Sequence, residues 1–437
     1  ERLDAETADC RAALVWPVAP PDAARALRLA GALAWYWFLR GRHSEGRRLL
    51  AMALSADGQG PAAARARALV GLSGLGSQEW DGDDPAQHGR AALELYARLD
   101  DPAGLAHAQW LVGFVMVGGG EPSSGSRLVD DALASFRRLG DRWGVAAALC
   151  VRGSEELRHG ELAAARRDGE ESWWLFGEVG DRWGQVRSAE LLGVLAEIEG
   201  DYDRATALHT DGLRLAEDIG LWPVVAQQLG RVGRLAALAG DYPAALAFHE
   251  RALRLAREQA FEPGVAFARV GLGLIARRQG RLDAAETQLQ AMLEAHRVAG
   301  SHPGVAFVLA ELGFVAELRG DAGTARVRHV EGLASARVTG DPRAVALALE
   351  GLAGAEALAG DHARAALLLG TASAARRSVD RPLPPAERAD VDRISAAVRA
   401  ALGETGFLAA FERGAAAGPD AVLATVDDPE VPVLDAG

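Results

Sequence analysis

From residue 140 to residue 360 apolar side chains return every three or four positions in stretches of about 16 to 18 residues, the pattern of a helix with one buried face. Trp183, Val186, Leu191, Leu192, Leu195 and Ile198 trace one such face, and Leu208, Leu213, Leu215 and Ile219 the next. The polar breaks between stretches fall at two phases of a forty-residue period. Gly160, Gly200, Gly240, Gly280, Gly320 and Gly360 mark the first phase; Gly140, Gly180, Gly220, Gly300 and Gly340 mark the second, with Ala260 standing where a glycine is due. A glycine ends a helix in the left-handed conformation, and an aspartate directly after it caps the next helix. The pentapeptide GDRWG, written at 140–144 and again at 180–184, reads as helix punctuation repeated by duplication. Alanine five positions after each first-phase glycine (Ala165, Ala205, Ala245, Ala285, Ala325, Ala365) and glycine seven before it (Gly153, Gly193, Gly233, Gly273, Gly313) predict close approach within helix pairs. Toward the N-terminus the period weakens, with Gly120, Asp101, the Trp80–Asp83 turn and Gly41 near the expected phases.

The Leu192-Gly193, Gly200-Asp201 and Ala205 positions resemble those of the tetratricopeptide repeat, here with longer helices. The resemblance implies an all-α, superhelical solenoid. About nine helix pairs are expected over residues 21–380, after a linker helix over 1–20 belonging to a missing upstream module. RPLPPAER interrupts the pattern, Ala386–Leu402 and Glu404–Ala417 predict two capping helices within 381–417, and 418–437 reads as a flexible acidic tail.

Composition narrows the chemistry. Hydrophobic residues make up 49% of the chain, ample for a continuous core, and the net charge of −13 has the wrong sign for direct nucleic-acid binding. All 47 basic residues are arginine, so neither a P-loop lysine nor a Schiff-base lysine exists. Cys10 and Cys150 form no disulfide framework, which fits a cytoplasmic setting. The apolar runs near Ala30–Leu39 and Leu111–Val117 fall well short of the roughly 20 residues of a membrane span, so no membrane segment is expected. The opening at Glu1, without a secretory leader, reads as a cut from a longer chain.

GGGEPSSGSR at 118–127 places Gly120 and Gly125 at a phosphate-loop interval, but Ser126-Arg127 replace the required Lys-Ser/Thr and both glycines sit on repeat phases. GLSGLG at 71–76 is read the same way. Ten scattered histidines form no metal-binding spacing, the pairs Glu155-Glu156 and Glu170-Glu171 diverge on a helix, and GxSxG is absent. The expectation is therefore a non-enzyme without metal or cofactor. Binding surface is a different matter, because the first helix of every pair lines the concave side of such a stack. One helical face there predicts a groove containing Trp110, Phe114, Trp143, Trp183, Arg187, Glu190, Trp222, Gln227, Arg234, Phe267, Phe307 and Phe314, aromatics beside charges that suit a small molecule or a peptide.

Both ends carry a further likeness. ERLDAETADCRAALVW at 1–16 with the ALRLAGALAWYWFLRGRHSEGRRLLAMAL stretch, and LLLGTASAARRSVDRPLPPAERADVDRISAAVRAALGETGFLAAFERGAA from Leu367, resemble the repeat region of actinobacterial multidomain ATPase transcriptional regulators of the antibiotic-regulator and LuxR types. That resemblance implies a sensor region that receives a small molecule, peptide or protein and controls the ATPase and DNA-binding modules of the same regulator. The competing expectation is a pure protein-interaction scaffold that recognises a peptide or helix.

Overall fold

The computed structural model describes residues 2–15, 22–56, 61–77, 84–118, 121–379 and 383–426, with side chains as far as Ala417. The Trp80–Asp83 turn, Gly120 and residues 427–437 of the expected tail lie outside the described residues. Every regular element among those described is helical. Two short helices, α1 (Arg2–Ala5) and α2 (Thr7–Val15), precede nine pairs. The first four are α3 (Asp22–Leu39) with α4 (His43–Ala56), α5 (Ala62–Gly76) with α6 (Pro85–Tyr96), α7 (Pro102–Gly118) with α8 (Pro122–Leu139), and α9 (Arg142–Arg158) with α10 (Leu162–Val179). Then come α11 (Arg182–Glu199) with α12 (Tyr202–Asp218), α13 (Trp222–Leu238) with α14 (Tyr242–Glu258), and α15 (Glu262–Arg278) with α16 (Leu282–Val298). The last are α17 (His302–Leu318) with α18 (Ala322–Thr339) and α19 (Pro342–Ala359) with α20 (His362–Ser378), followed by α21 (Ala389–Val426).

The punctuation works as its chemistry requires. Gly200 adopts φ 77°, its N–H and that of Asp201 return to the carbonyls of Glu197 and Ala196, and the Asp201 carboxylate then accepts from the Arg204 N–H at 3.1 Å. Ala260 takes the left-handed conformation too, at φ 49°, so the turn geometry is imposed by the repeat even where glycine is missing. In GDRWG, Asp141 and Asp181 cap α9 and α11 through the N–H groups of Gly144 and Gly184. A side chain at Gly184 would meet Phe176 at 2.1 Å, so the closing glycine makes room for the fully buried phenylalanine of the preceding helix.

From α3 through α11, and again from α13 through α19, the first helices of successive pairs touch each other as well as their own partners, which places them on the inside of the curve. The coil is tight enough for successive turns to meet. Arg40 Nη1 donates to the Ile219 carbonyl at 2.7 Å, 179 residues along the chain, and Arg343 Nη2 donates to the Leu157 carbonyl at 2.7 Å, 186 residues back. Between four and five repeats therefore make one turn.

The two expected capping helices are assigned as one, α21, preceded by a single 3-10 turn at Pro385–Glu387. Gly403 within α21 nevertheless has φ 68°, a left-handed residue that interrupts the helical path between the two segments read from the sequence. The helix also continues past Gly418 to Val426, into the segment expected to be loose. By length and composition alone, residues 389–417 of α21 are the one described helix apolar enough to cross a membrane. Much of this apolarity is alanine, and Ile394, Val398, Phe407 and Ala410 are buried in the cluster that seals α20.

Candidate functional site

The first helices gather four tryptophans from the N-terminal half of the chain onto one side. Trp110 of α7, Trp143 of α9 and Trp183 of α11 surround Trp35 of α3, with ring centroids 6.0, 6.2 and 4.9 Å from it and planes steeply inclined. Phe38 stacks on Trp35 at 5.0 Å, and Trp143 and Trp183 lie nearly parallel at 6.2 Å. Inclined and offset ring pairs of this kind are attractive beyond the area they bury. The indole N–H of Trp143 donates to Asp181 at 3.1 Å, so the capping aspartate of α11 also fixes the tryptophan of the preceding repeat.

Beside this cluster opens a cavity of about 830 Å³, within the size range that encloses a small organic ligand. Its walls include Trp35, Phe38, Tyr96, Trp110 and Trp143. Arg28, Arg67, Asp101 and His107 supply its polar groups. Asp101 is engaged with the Gly104 N–H at 2.8 Å, and His107 lies 3.5 Å from Asp141. Burial lowers the His107 pKa, a shift that Asp141 opposes and Arg67 reinforces, which favours the neutral ring. Arg28 and Arg67 form no hydrogen bond or ion pair among the described residues, leaving two guanidinium groups available at the cavity.

Further along the concave side the groups are paired. Arg187 bonds Glu190, which also accepts from Gln227, and the Arg231 guanidinium lies over Phe267 at 4.8 Å. Arg234 donates to Glu197 at 2.9 Å, while His209 Nε2 is 3.2 Å from the same carboxylate. Burial would raise the pKa of Glu197, but the contact with His209 and the fields of Arg234 and Arg231 outweigh it and hold it at about 2. Arg277 pairs with Glu311 at 2.7 Å and lies over Phe314 at 5.2 Å. This half of the groove is already filled. Glu387 bonds Arg234 at 3.3 Å, Asp390 bonds Arg277 at 3.0 Å and Arg393 bonds Glu317 at 2.6 Å, so the segment leading into α21 lies along three consecutive inner helices.

The twelve residues singled out in the sequence thus separate. Trp110, Phe114, Trp143 and Trp183 meet in or against the aromatic cluster, and Arg187, Glu190, Gln227, Arg234 and Phe267 continue the concave row. Trp110 is only 5% exposed and is as much core as wall. Phe314, 2% exposed between Arg277 and His329, is core, and Phe307 is half-buried against the apolar cluster of α15–α17. Trp222 stands apart at 43% exposure, beside Arg40 and Gly41 where two turns of the coil meet. Trp35, Phe38, Arg28 and Arg67 lie on helices where the forty-residue period is too weak to set a phase, so the sequence pattern does not mark them. Among the described residues no three His, Cys, Asp or Glu side chains gather as a metal site. Gly125, of the glycine-rich stretch, packs inside α8 where an added Cβ would lie 2.8 Å from the Gly113 carbonyl, a helix contact and not an anion cradle.

Neither a protein-family model nor a curated protein sequence matches the chain. Solved structures do. A Rap protein complexed with competence and sporulation factor superposes with a TM-score of 0.52 at 11% identity, covering 77% of this chain and 99% of that one. Aspartyl phosphate phosphatase F from Bacillus subtilis gives 0.47 at 12% identity over 83% of this chain and 94% of its own. A signal transduction ATPase with a tetratricopeptide repeat sensor from Pyrococcus horikoshii gives 0.45 at 13% identity over 75% of this chain, which spans about half of that protein (52%). At such identities the likeness to the Rap protein is one of fold, a tetratricopeptide-like helical solenoid.

Proposed function

We propose that this chain is a non-catalytic sensor region of a bacterial transcriptional regulator, binding its signal in the aromatic cavity on the concave side and passing its state to ATPase and DNA-binding modules. The observation that carries the reading is the cavity itself: about 830 Å³, walled by tryptophans from α3, α7 and α9 and served by two arginines that are unpaired among the described residues. Flat aromatic walls beside cationic groups suit a planar apolar molecule bearing an acidic group. Because the walls come from separate repeats, a ligand bridging them would favour one spacing of the inner helices over others and so bias the curvature of the stack. A protein of similar fold is complexed with competence and sporulation factor, which accords with a signal held by such a coil.

Native mass spectrometry of the gently purified chain, followed by thermal-shift screening with planar aromatic acids and amines, tests this. An acid at one hundred times its Kd should stabilise the fold by about 2.7 kcal/mol, and Arg28→Met with Arg67→Met should remove most of that gain while leaving the unliganded melting point in place. Stabilisation by no compound, with a clean unliganded mass, would sink the small-molecule reading. A second reading, a scaffold that recognises peptides or helices, is favoured by one observation: the other half of the groove already holds a segment of polypeptide.

A further inference from the structure

We propose that the groove over α13, α15 and α17 is a recognition site for a partner protein's helix start bearing the pattern acid-x-x-acid-x-x-arginine, a site that Glu387, Asp390 and Arg393 of this chain occupy in the partner's absence. The three residues are spaced at i, i+3 and i+6 and meet Arg234, Arg277 and Glu317 on three consecutive inner helices. The arm does more than cap the solenoid. Sealing the last pair is the work of Ile394, Val398, Phe407 and Ala410, whereas residues 384–393 run back across the groove as far as Tyr202, whose hydroxyl donates to Glu387 at 3.4 Å.

At α15 and α17 the two sides of this contact are unequal, while at α13 Arg234 and Glu387 are about equally exposed. The receiving side chains of Arg277 and Glu317 are 5% and 6% exposed, and Arg277 is held by Glu311 and by Phe314 whether or not the arm is present. The arm's side chains remain reachable by water, Arg393 at 41% and Glu387 at 26%. Arg234 keeps Glu197 as well, whereas Glu317 has only Arg393 as an ion-pair partner among the described residues. A buried charge left without its partner is strongly unfavourable, while part-exposed charges pair weakly and exchange readily. Glu317 therefore calls for a cation from whatever occupies the groove, Arg277 and Arg234 each accept one further acid, and the present occupant is held loosely. The tether supplies an effective concentration in the millimolar range, so an untethered segment competes only when it binds well or when the arm is altered.

The test uses the full chain and a fluorescein-labelled peptide with the sequence of residues 383–400, followed by fluorescence anisotropy. The peptide should bind a variant carrying Glu387→Gln, Asp390→Asn and Arg393→Gln at least tenfold more tightly than the unaltered chain. A peptide with the same three substitutions should bind that variant at least tenfold more weakly. Equal binding to both proteins, or equal binding of both peptides, overturns the proposal. Should the variant lose its helical circular dichroism, hydrogen exchange of the unaltered chain decides. Millimolar peptide should speed exchange of the amides of residues 385–393, and unchanged exchange overturns the proposal. None of these readouts involves the aromatic cavity, so they stand or fall apart from the sensor reading.

Discussion

His249 and His329 sit at the same position of repeats 80 residues apart, each less than 2% exposed and with neither ring nitrogen hydrogen-bonded. Burial pushes their pKa values down, to about 4 for His249, where Arg234 adds to the effect, and to about 3 for His329, where Arg277 adds to it and Asp390 opposes it. Both rings fold neutral, whereas in the unfolded chain they take up protons near pH 6.5. The unfolded state therefore gains protons first as the pH falls, and the stabilisation present above pH 6.5 is lost progressively down to the folded-state values. Each ring should remove about 1 kcal/mol by pH 5.5. Thermal melts from pH 7.5 to 5.0 should show this decline, and His249→Met should flatten it; a melting point that does not depend on pH would show that the rings are solvated. The tryptophans predict a second contrast. Trp110→Ala should destabilise by about 3–5 kcal/mol as a core truncation, while the half-buried Trp143 should lose less stability when truncated and more ligand-induced thermal shift.

At the scale of elements, the least forgiving contact is where α20 crosses α21. A Cβ at Gly370 would lie 1.9 Å from the Phe411 carbonyl oxygen, and one at Gly414 would lie 1.9 Å from the Leu367 carbonyl oxygen. Backbone meets backbone there, so no rotamer change relieves a methyl group. Gly370→Ala should release α21, read as rapid proteolytic cleavage between residues 380 and 417 while the helicity of the rest persists; resistance equal to the parent chain would show that the helices can separate without loss. This crossing was not legible in the sequence, since Gly370 and Gly414 look like ordinary small residues on alanine-rich helices. What was legible followed from local rules that repeat: the glycine stops, the aspartate caps and the helical face that places Arg187, Glu190, Arg234 and Phe267 on the inner helices. Trp35, Arg28 and Arg67 escaped because Gly41 and Gly82, the glycines between the helices of the first two pairs, fall off the forty-residue phase. The occupancy of the lower groove escaped for a different reason. The bond from Arg234 to Glu387 joins residues 153 apart, and a local period contains no information about which turns of a coil will meet.

For the whole molecule, those meetings change how the solenoid unfolds. In an open stack each repeat contacts only its neighbours, so stability is a sum of local terms and the ends can fray independently. Here Arg40 reaches the carbonyls of Ile219 and Gly220, Arg343 reaches that of Leu157, and Val379 covers Gly160. Each contact ties a repeat to one that is four or five further on, so opening any intervening pair strains a clasp as well as two interfaces. The coil should consequently behave as one cooperative unit with a fixed pitch. Replacing both guanidinium groups, Arg40→Met with Arg343→Met, removes charge-assisted bonds to carbonyl oxygens and keeps the apolar stems. The double variant should lose about 3–6 kcal/mol, from two guanidinium contacts of roughly 1.5–3 kcal/mol each. Its urea transition should also broaden as the stack begins to melt in parts, and small-angle scattering should report a larger radius of gyration for the folded form. An unchanged radius with an equally steep transition would mean that packing between neighbouring repeats sets the pitch alone. In that case a ligand in the aromatic cavity could alter curvature only through the helices it touches. If the clasps do set the pitch, a change of spacing between α3 and α9 is transmitted one full turn along the coil, to α12 and α19, without passing through every repeat between.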